Sequence, residues 1–214
     1  MKTRIWDLPL RLFHWLLVMA VIGSFVSVKL GGNAMIWHGR FGYLVLALIA
    51  FRLVWGFVGT HHARFAQFIK SPKAILVYLK NPSETPGHSP MGAISVLVLL
   101  GLFLAQALAG LFATDDIDFD GPLAKYVASA WVELLSSFHR LNEWVLLALV
   151  ATHIGAILYY KYAKRINLTS AMITGDKELA DVAMAPLVQD DAKVRLKAMA
   201  ILIAIALIMY YFLR

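Results

Sequence analysis

The sequence contains no cysteine. That excludes disulfides, iron–sulfur clusters, thiolate ligation of iron and covalent haem attachment through a C-x-x-C-H motif. It says little about compartment, because a protein held in a bilayer needs no covalent staples. Charge is scarce too: 15% of the 214 residues are charged and 60% are hydrophobic, where a soluble domain has about a quarter and about half. The apolar surplus must face something other than water, and several runs reach the roughly 20 residues that cross a hydrocarbon core. Acidic residues are the scarcer sign, 13 against 20 Lys and Arg, for a net charge of +7. Membrane proteins collect cations in their cytoplasmic loops, so the excess implies no nucleic-acid partner. The first apolar run carries His14 and Trp15 near its start and no A-x-A site at its end, so it does not read as a cleavable signal peptide.

Hydropathy predicts an all-α integral membrane protein with five spans, at residues 12–30, 38–58, 91–113, 134–161 and 194–213. Pro82, Pro86 and Pro90 mark one loop, and residues 167–191 read as a polar connector. Cations set the orientation. Lys2, Arg4 and Arg11, then Arg64, Lys70, Lys73 and Lys80, then Lys161, Lys164 and Arg165 alternate onto one side, taken as cytoplasmic. The loop after the third span is the opposite, with Asp115, Asp116, Asp118, Asp120 and Glu133 against Lys125. Its place is outside, and five spans put the C-terminus outside as well. Between residues 65 and 80, apolar residues alternate with lysines at loosely helical spacing. Such a stretch suits the membrane interface, its cations toward anionic lipid, with Pro72 dividing it into two turns.

Four of the seven histidines fall on the spans: His14, His38, His139 and His153. Imidazoles at membrane depth are costly and usually functional. His139 and His153 lie 14 residues apart, nearly four whole turns, so they share a helix face roughly 21 Å apart along the axis. Topology then matches His38 with His139 at the outer depth and His14 with His153 at the cytoplasmic depth. A lone histidine on a transmembrane helix is ordinarily a helix–helix hydrogen-bonding residue. Four at paired depths ask for more, and opposed imidazoles suit the two axial positions of a low-spin haem iron. Zinc or copper fits less well, because a transported-metal site would want carboxylate or thiol companions. His61, His62 and His88 read as solvated loop residues.

Other residues fit around these pairs. Gly42 is one turn beyond His38, where a missing side chain lets a porphyrin approach the backbone. Arg11, Arg40 and Arg140 lie beside His14, His38 and His139 and could meet haem propionates. Arg52 shares the face of His38 at the depth of the cytoplasmic pair. Snorkelling explains it about as well as contact with a propionate or a quinone.

Motifs across the first four spans resemble the bacterial cytochrome b561 family, which includes the b-type subunits of nickel-iron hydrogenases. They are W-D-L-P-L-R-L-F-H-W around His14, H-G-R-F-G-Y and F-R-L-V-W-G-F-V-G from His38 to Gly59, H-H-A-R-F-A-Q-F-I-K-S-P-K, G-H-S-P-M-G-A, and F-H-R-L-N-E-W-V-L-L-A-L-V-A-T-H. The resemblance implies a four-helix haem-binding transmembrane bundle with two non-covalent haems b on the four histidines. It also implies electron exchange between the quinone pool and a periplasmic redox partner across a bacterial inner membrane. Residues 1–164 then form the di-haem domain, 165–193 a cytoplasmic connector and 194–214 an additional C-terminal transmembrane helix. The expected partner is a mobile c-type cytochrome, steered by the acidic outer loop, although an outer loop lacks cations for topological reasons alone. The competing reading is a superoxide:quinone oxidoreductase, with Arg40, Arg140 and Lys29 attracting the anion. Oligomeric state leaves no mark in the sequence.

Overall fold

The computed structural model describes residues 2–81, 83, 85–117, 119–179, 186 and 188–212. Pro82, Asp118, Leu213 and connector residues 180–185 and 187, which figure in the expectations above, lie outside the described residues. The long helices are α1 (Leu8–Leu30), α2 (Met35–Val58), α5 (Pro90–Gly110) and α6 (Ser129–Tyr162). Each is long and apolar enough to cross a membrane, α2 together with the 3-10 turn that leads into it. Large apolar side chains such as Met19, Ile22 and Leu141 stay more than half exposed, which only hydrocarbon would favour. The protein is a multi-pass membrane protein.

Local chemistry explains the helix ends. Asp7 caps α1, its Oδ1 accepting from Leu10 N at 2.7 Å, and Pro9 follows where a missing N–H costs nothing. Ser89 caps α5 through Gly92 N at 3.1 Å, with Pro90 as the first helical residue. Helix α6 runs for 34 residues, about 51 Å of rise against a core of roughly 30 Å. It therefore starts ahead of the expected residue 134.

The interfacial stretch forms two helices, α3 (Phe65–Phe68) and α4 (Pro72–Lys80). Ser71 caps α4 by accepting from Ala74 N, so Pro72 begins a helix rather than interrupting one. The stretch after α6 is more ordered than a polar connector. Asn167 caps α7 (Leu168–Thr174), Gly175 ends it at φ 90°, and β2 (Asp176–Glu178) pairs antiparallel with β1 (Lys2–Arg4). Arg4 reinforces that pairing through Asp176 at 2.6 Å and Asp190 at 2.9 Å. Helix α8 (Ala192–Phe212) follows, capped by Asp191 Oδ1 on Val194 N at 2.9 Å.

Packing divides the chain into two compact units. One holds Met1–Leu12, Arg52–Val98 and Ala151–Ile201; the other holds Phe13–Phe51, Leu99–Val150 and Leu202–Arg214. The first gathers all three cation-bearing segments. Its contacts join them directly: β1 to β2, Asp7 to Thr60 and Trp55, and Lys177 Nζ to the Thr85 carbonyl. Segments that touch lie on one side of a membrane, which requires an even number of crossings between them. Two helices separate Asp7 from Thr60 and four separate β1 from β2.

Candidate haem-binding site

Within the second unit, α2 and α6 bring His38 and His139 together, their ring centroids 6.0 Å apart and their planes at 87°. Each ring is held through Nδ1 by a backbone carbonyl. His38 Nδ1 lies 3.0 Å from Ser24 O and 3.1 Å from Ser24 Oγ on α1. His139 Nδ1 lies 2.9 Å from Gln106 O on α5. A carbonyl oxygen can only accept, so both Nδ1 atoms carry a proton, and in the neutral ring that leaves the lone pair on Nε2. That is how metal-ligating histidines are usually oriented.

Further hydrogen bonds fix this arrangement. Gln106 Nε2 donates to His139 O at 3.0 Å, and Asn142 Nδ2 donates to Gln106 Oε1 at 2.9 Å and Leu102 O at 3.2 Å. Asn142 and Ser136 are buried, and Ser136 Oγ accepts from Thr114 N at 3.0 Å. A Cβ on Gly110, the last residue of α5, would fall 2.9 Å from the His139 ring, so only glycine lets the acidic loop start this close.

The donor set fits a haem. With metal–imidazole bonds of about 2 Å, two trans imidazoles have their centroids a little over 6 Å apart, close to the observed spacing. Beside His38, a Cβ on Gly42 would meet nothing within 4 Å, leaving backbone open to a flat ring. Among the described residues no group of three or more His, Asp or Glu could hold a bare metal ion. A two-nitrogen set leaves other positions of a metal open, and a macrocycle would supply them.

The remaining expected residues are placed as follows. His14 lies on α1, its ring 5.0 Å from and perpendicular to Trp15. His153 lies on α6 in the first unit, whereas His14 belongs to the second. Arg40 stacks on Trp37 at 4.7 Å, and Arg140 donates to Ser137 Oγ at 3.4 Å; both are exposed. Arg11 turns to the connector, donating to Ile173 O and pairing with Asp190 at 3.7 Å. Of the acidic loop, Asp115 accepts from Ile117 N and Phe119 N and so shapes the turn. Asp116 and Asp120 are exposed.

In the first unit, Arg52 does not snorkel. It is 2% exposed, stacked on Phe65 at 4.8 Å and Phe68 at 5.9 Å. Its Nη1 and Nη2 have no partner among the described residues. Of the histidines expected in solvent, His62 is buried and His61 and His88 are half-buried. His62 is 7% exposed, 6.4 Å from Trp6 and 4.9 Å from His61. His88 sits between Trp6 at 4.7 Å and Phe68 at 4.6 Å. Burial, and then the neighbouring charge of His61, lower the His62 pKa to about 4. Burial, and then the Arg52 charge, lower that of His88 to about 3. Both rings are neutral at pH 7.

Sequence reasoning missed Asp7, Ser24, Gln106 and Asn142. Asp7 is 0% exposed, and its Oδ2 accepts from Trp55 Nε1 at 3.1 Å and from Thr60 Oγ1. An Asp two residues before a proline at the head of an apolar run was the available signal.

A family model described as prokaryotic cytochrome b561 matches residues 5–175. Three curated relatives are each named "Probable Ni/Fe-hydrogenase B-type cytochrome subunit". The one from Rhizobium leguminosarum bv. viciae is 22% identical, covering 83% of this chain and 89% of the relative. Those from Bradyrhizobium diazoefficiens and Azotobacter vinelandii are each 24% identical, covering 83% of this chain and 86% and 89% of the relatives. No solved structure matches.

Proposed function

Because this chain belongs to the prokaryotic cytochrome b561 family, we propose that it is a di-haem b cytochrome moving electrons between the quinone pool and a periplasmic redox partner. His38 and His139 hold the outer haem; His14 and His153 hold the cytoplasmic one. The observation that carries the reading is the pair of imidazoles with both Nδ1 protons committed to backbone carbonyls. Bound haem supplies one-electron chemistry at iron. The chain's residues fix the tautomer, orient both rings and exclude water.

Around this core, residues 1–164 form the haem domain, 165–193 connect on the cytoplasmic side, and 194–214 make a fifth crossing that leaves the C-terminus in the periplasm. The membrane is the bacterial inner membrane. Gly42 gives the outer porphyrin room beside α2. The unpartnered Nη atoms of buried Arg52 need an acceptor, either a haem propionate or a quinone carbonyl. Arg40 and Arg140, exposed beside the outer ligands, are available to propionates. The names of the relatives favour a nickel-iron hydrogenase as the partner, with a c-type cytochrome the other electron carrier to test.

Pyridine haemochrome analysis tests the reading. The purified protein is expected to contain two haems b per chain, and His38→Ala or His139→Ala to remove the same one. A haem-free protein, or loss of different spectral components in these two variants, overturns it.

A further inference from the structure

Where α2 ends and α8 begins, the first unit contains a cavity of 340 Å³. Its polar lining includes His61, Arg64, Gln189 and Lys197; Trp55, Val58, Val188 and Val194 form apolar walls. Among the described residues no carboxylate lines it. Lys197 Nζ donates to the Val58 carbonyl at 2.6 Å, which holds the ammonium at the C-terminal end of α2. Arg64 Nε and His61 Nδ1 are shielded from solvent and have no hydrogen-bond partner among the described residues. Asp7, which holds Trp55 and Thr60 of the lining, already accepts from both and from Leu10 N. Asp191 caps α8, and Asp190 is shared by Arg4, Arg11 and Arg195.

Unmatched cations and shielded donors call for an anion with several acceptor oxygens. The flank says what that anion is attached to. Phe57 is 74% exposed, Val58 41% and Leu196 63%, all beside the cavity in sequence and all at the end of a membrane-spanning segment or on α8. A free inorganic ion would gain nothing from these side chains or from the apolar walls. Acyl chains would.

We propose that this cavity binds the phosphate of an anionic phospholipid, with Arg64 and Lys197 as its cationic contacts and Phe57, Val58 and Leu196 alongside the acyl chains. A zwitterionic headgroup fits less well. Its own cation wants a carboxylate or an aromatic cage, and among the described lining residues only Trp55 could serve.

The test is native mass spectrometry of the haem-loaded protein in detergent, titrated with phosphatidylglycerol or phosphatidylcholine, with inorganic phosphate as a separate arm. Phosphatidylglycerol is expected to be retained about tenfold better than phosphatidylcholine, and each cation removed to weaken it by about fivefold. Lys197→Gln is the first variant because its side chain is exposed; Arg64→Gln and the double variant follow. Haem absorbance in the same samples shows whether each variant has folded. Equal retention of the two lipids, or phosphatidylglycerol binding unchanged in Lys197→Gln and in a folded Arg64→Gln, overturns the proposal. So does inorganic phosphate displacing the lipid at equal concentration, which would mark a site for the free ion.

Discussion

Two groups of histidines divide this molecule. His38 and His139 stand on transmembrane helices, each with one nitrogen committed to a backbone carbonyl and the other left with its lone pair. His62 and His88 stand in the segment between α2 and α5, wrapped by Trp6 and Phe68, with His62 Nε2 and His88 Nδ1 unpartnered among the described residues. The first arrangement prepares an imidazole to donate electrons to a metal. The second keeps an imidazole uncharged. What separates the two groups is what each ring faces: His38 and His139 face each other from two helices at 6.0 Å, whereas His62 and His88 face the ring of Trp6.

Removing haem would have the largest effect. His139→Ala is expected to lower the haem content from two per chain to one, whereas His62→Phe leaves it at two, by pyridine haemochrome assay. A His62 variant that lost a haem would break the comparison. Next comes Asp7, which anchors the aromatic-wrapped group through Trp55 and Thr60. Asp7→Ala leaves those donors unsatisfied and uncaps α1, at a cost of about 3 kcal/mol. Thermal melting in detergent should show it, with the spectrum of the His38–His139 haem retained.

The third effect is one of pH. His62 and His88 have folded-state pKa values of about 4 and about 3, below the ordinary value near 6.5. The unfolded chain therefore binds more protons between those limits, and stability falls as pH drops from about 6.5 toward 4. Above about 6.5 the contribution is complete and flat. Melting temperature between pH 7.5 and 5 should follow that curve, and His62→Phe should flatten it. A flat wild-type profile would mean that these rings are not enclosed.

The smallest effect concerns the loop beside His139. Asp116→Asn with Asp120→Asn is expected to slow reduction or oxidation by a cationic cytochrome two- to fivefold at low salt, on the order of a surface-charge effect on encounter. The difference should vanish by about 0.5 M salt. Asp115 is left intact because its carboxylate builds the turn. Stopped-flow traces across a salt series decide; unchanged cytochrome kinetics with faster superoxide oxidation would favour the enzyme reading.

The shared face of His139 and His153 was legible because helical spacing is a property of sequence. Two histidines 14 residues apart share a face whatever surrounds them. The partners of the His38 and His139 Nδ1 atoms were not legible, because a backbone carbonyl has no residue type. His62 and His88 misled for another reason. They sit among lysines and prolines, and the Trp6 that covers both comes from far away in the chain. The strands were invisible as well: three charged or polar residues each, too short to alternate. Pro72 and Asp7 carried local signals, and only the first was used.

The pairing of β1 with β2 has a consequence in time. Strand β1 leaves the ribosome about 170 residues ahead of its partner, and at 5–20 residues per second that is a wait of roughly 10–35 s. Four helices must enter the bilayer meanwhile. Arg4 cannot meet Asp176 until they have, so closure of this small ribbon reports that an even number of crossings was made. A chain that skipped one would leave its two strands on opposite sides of the membrane, with nothing to zip.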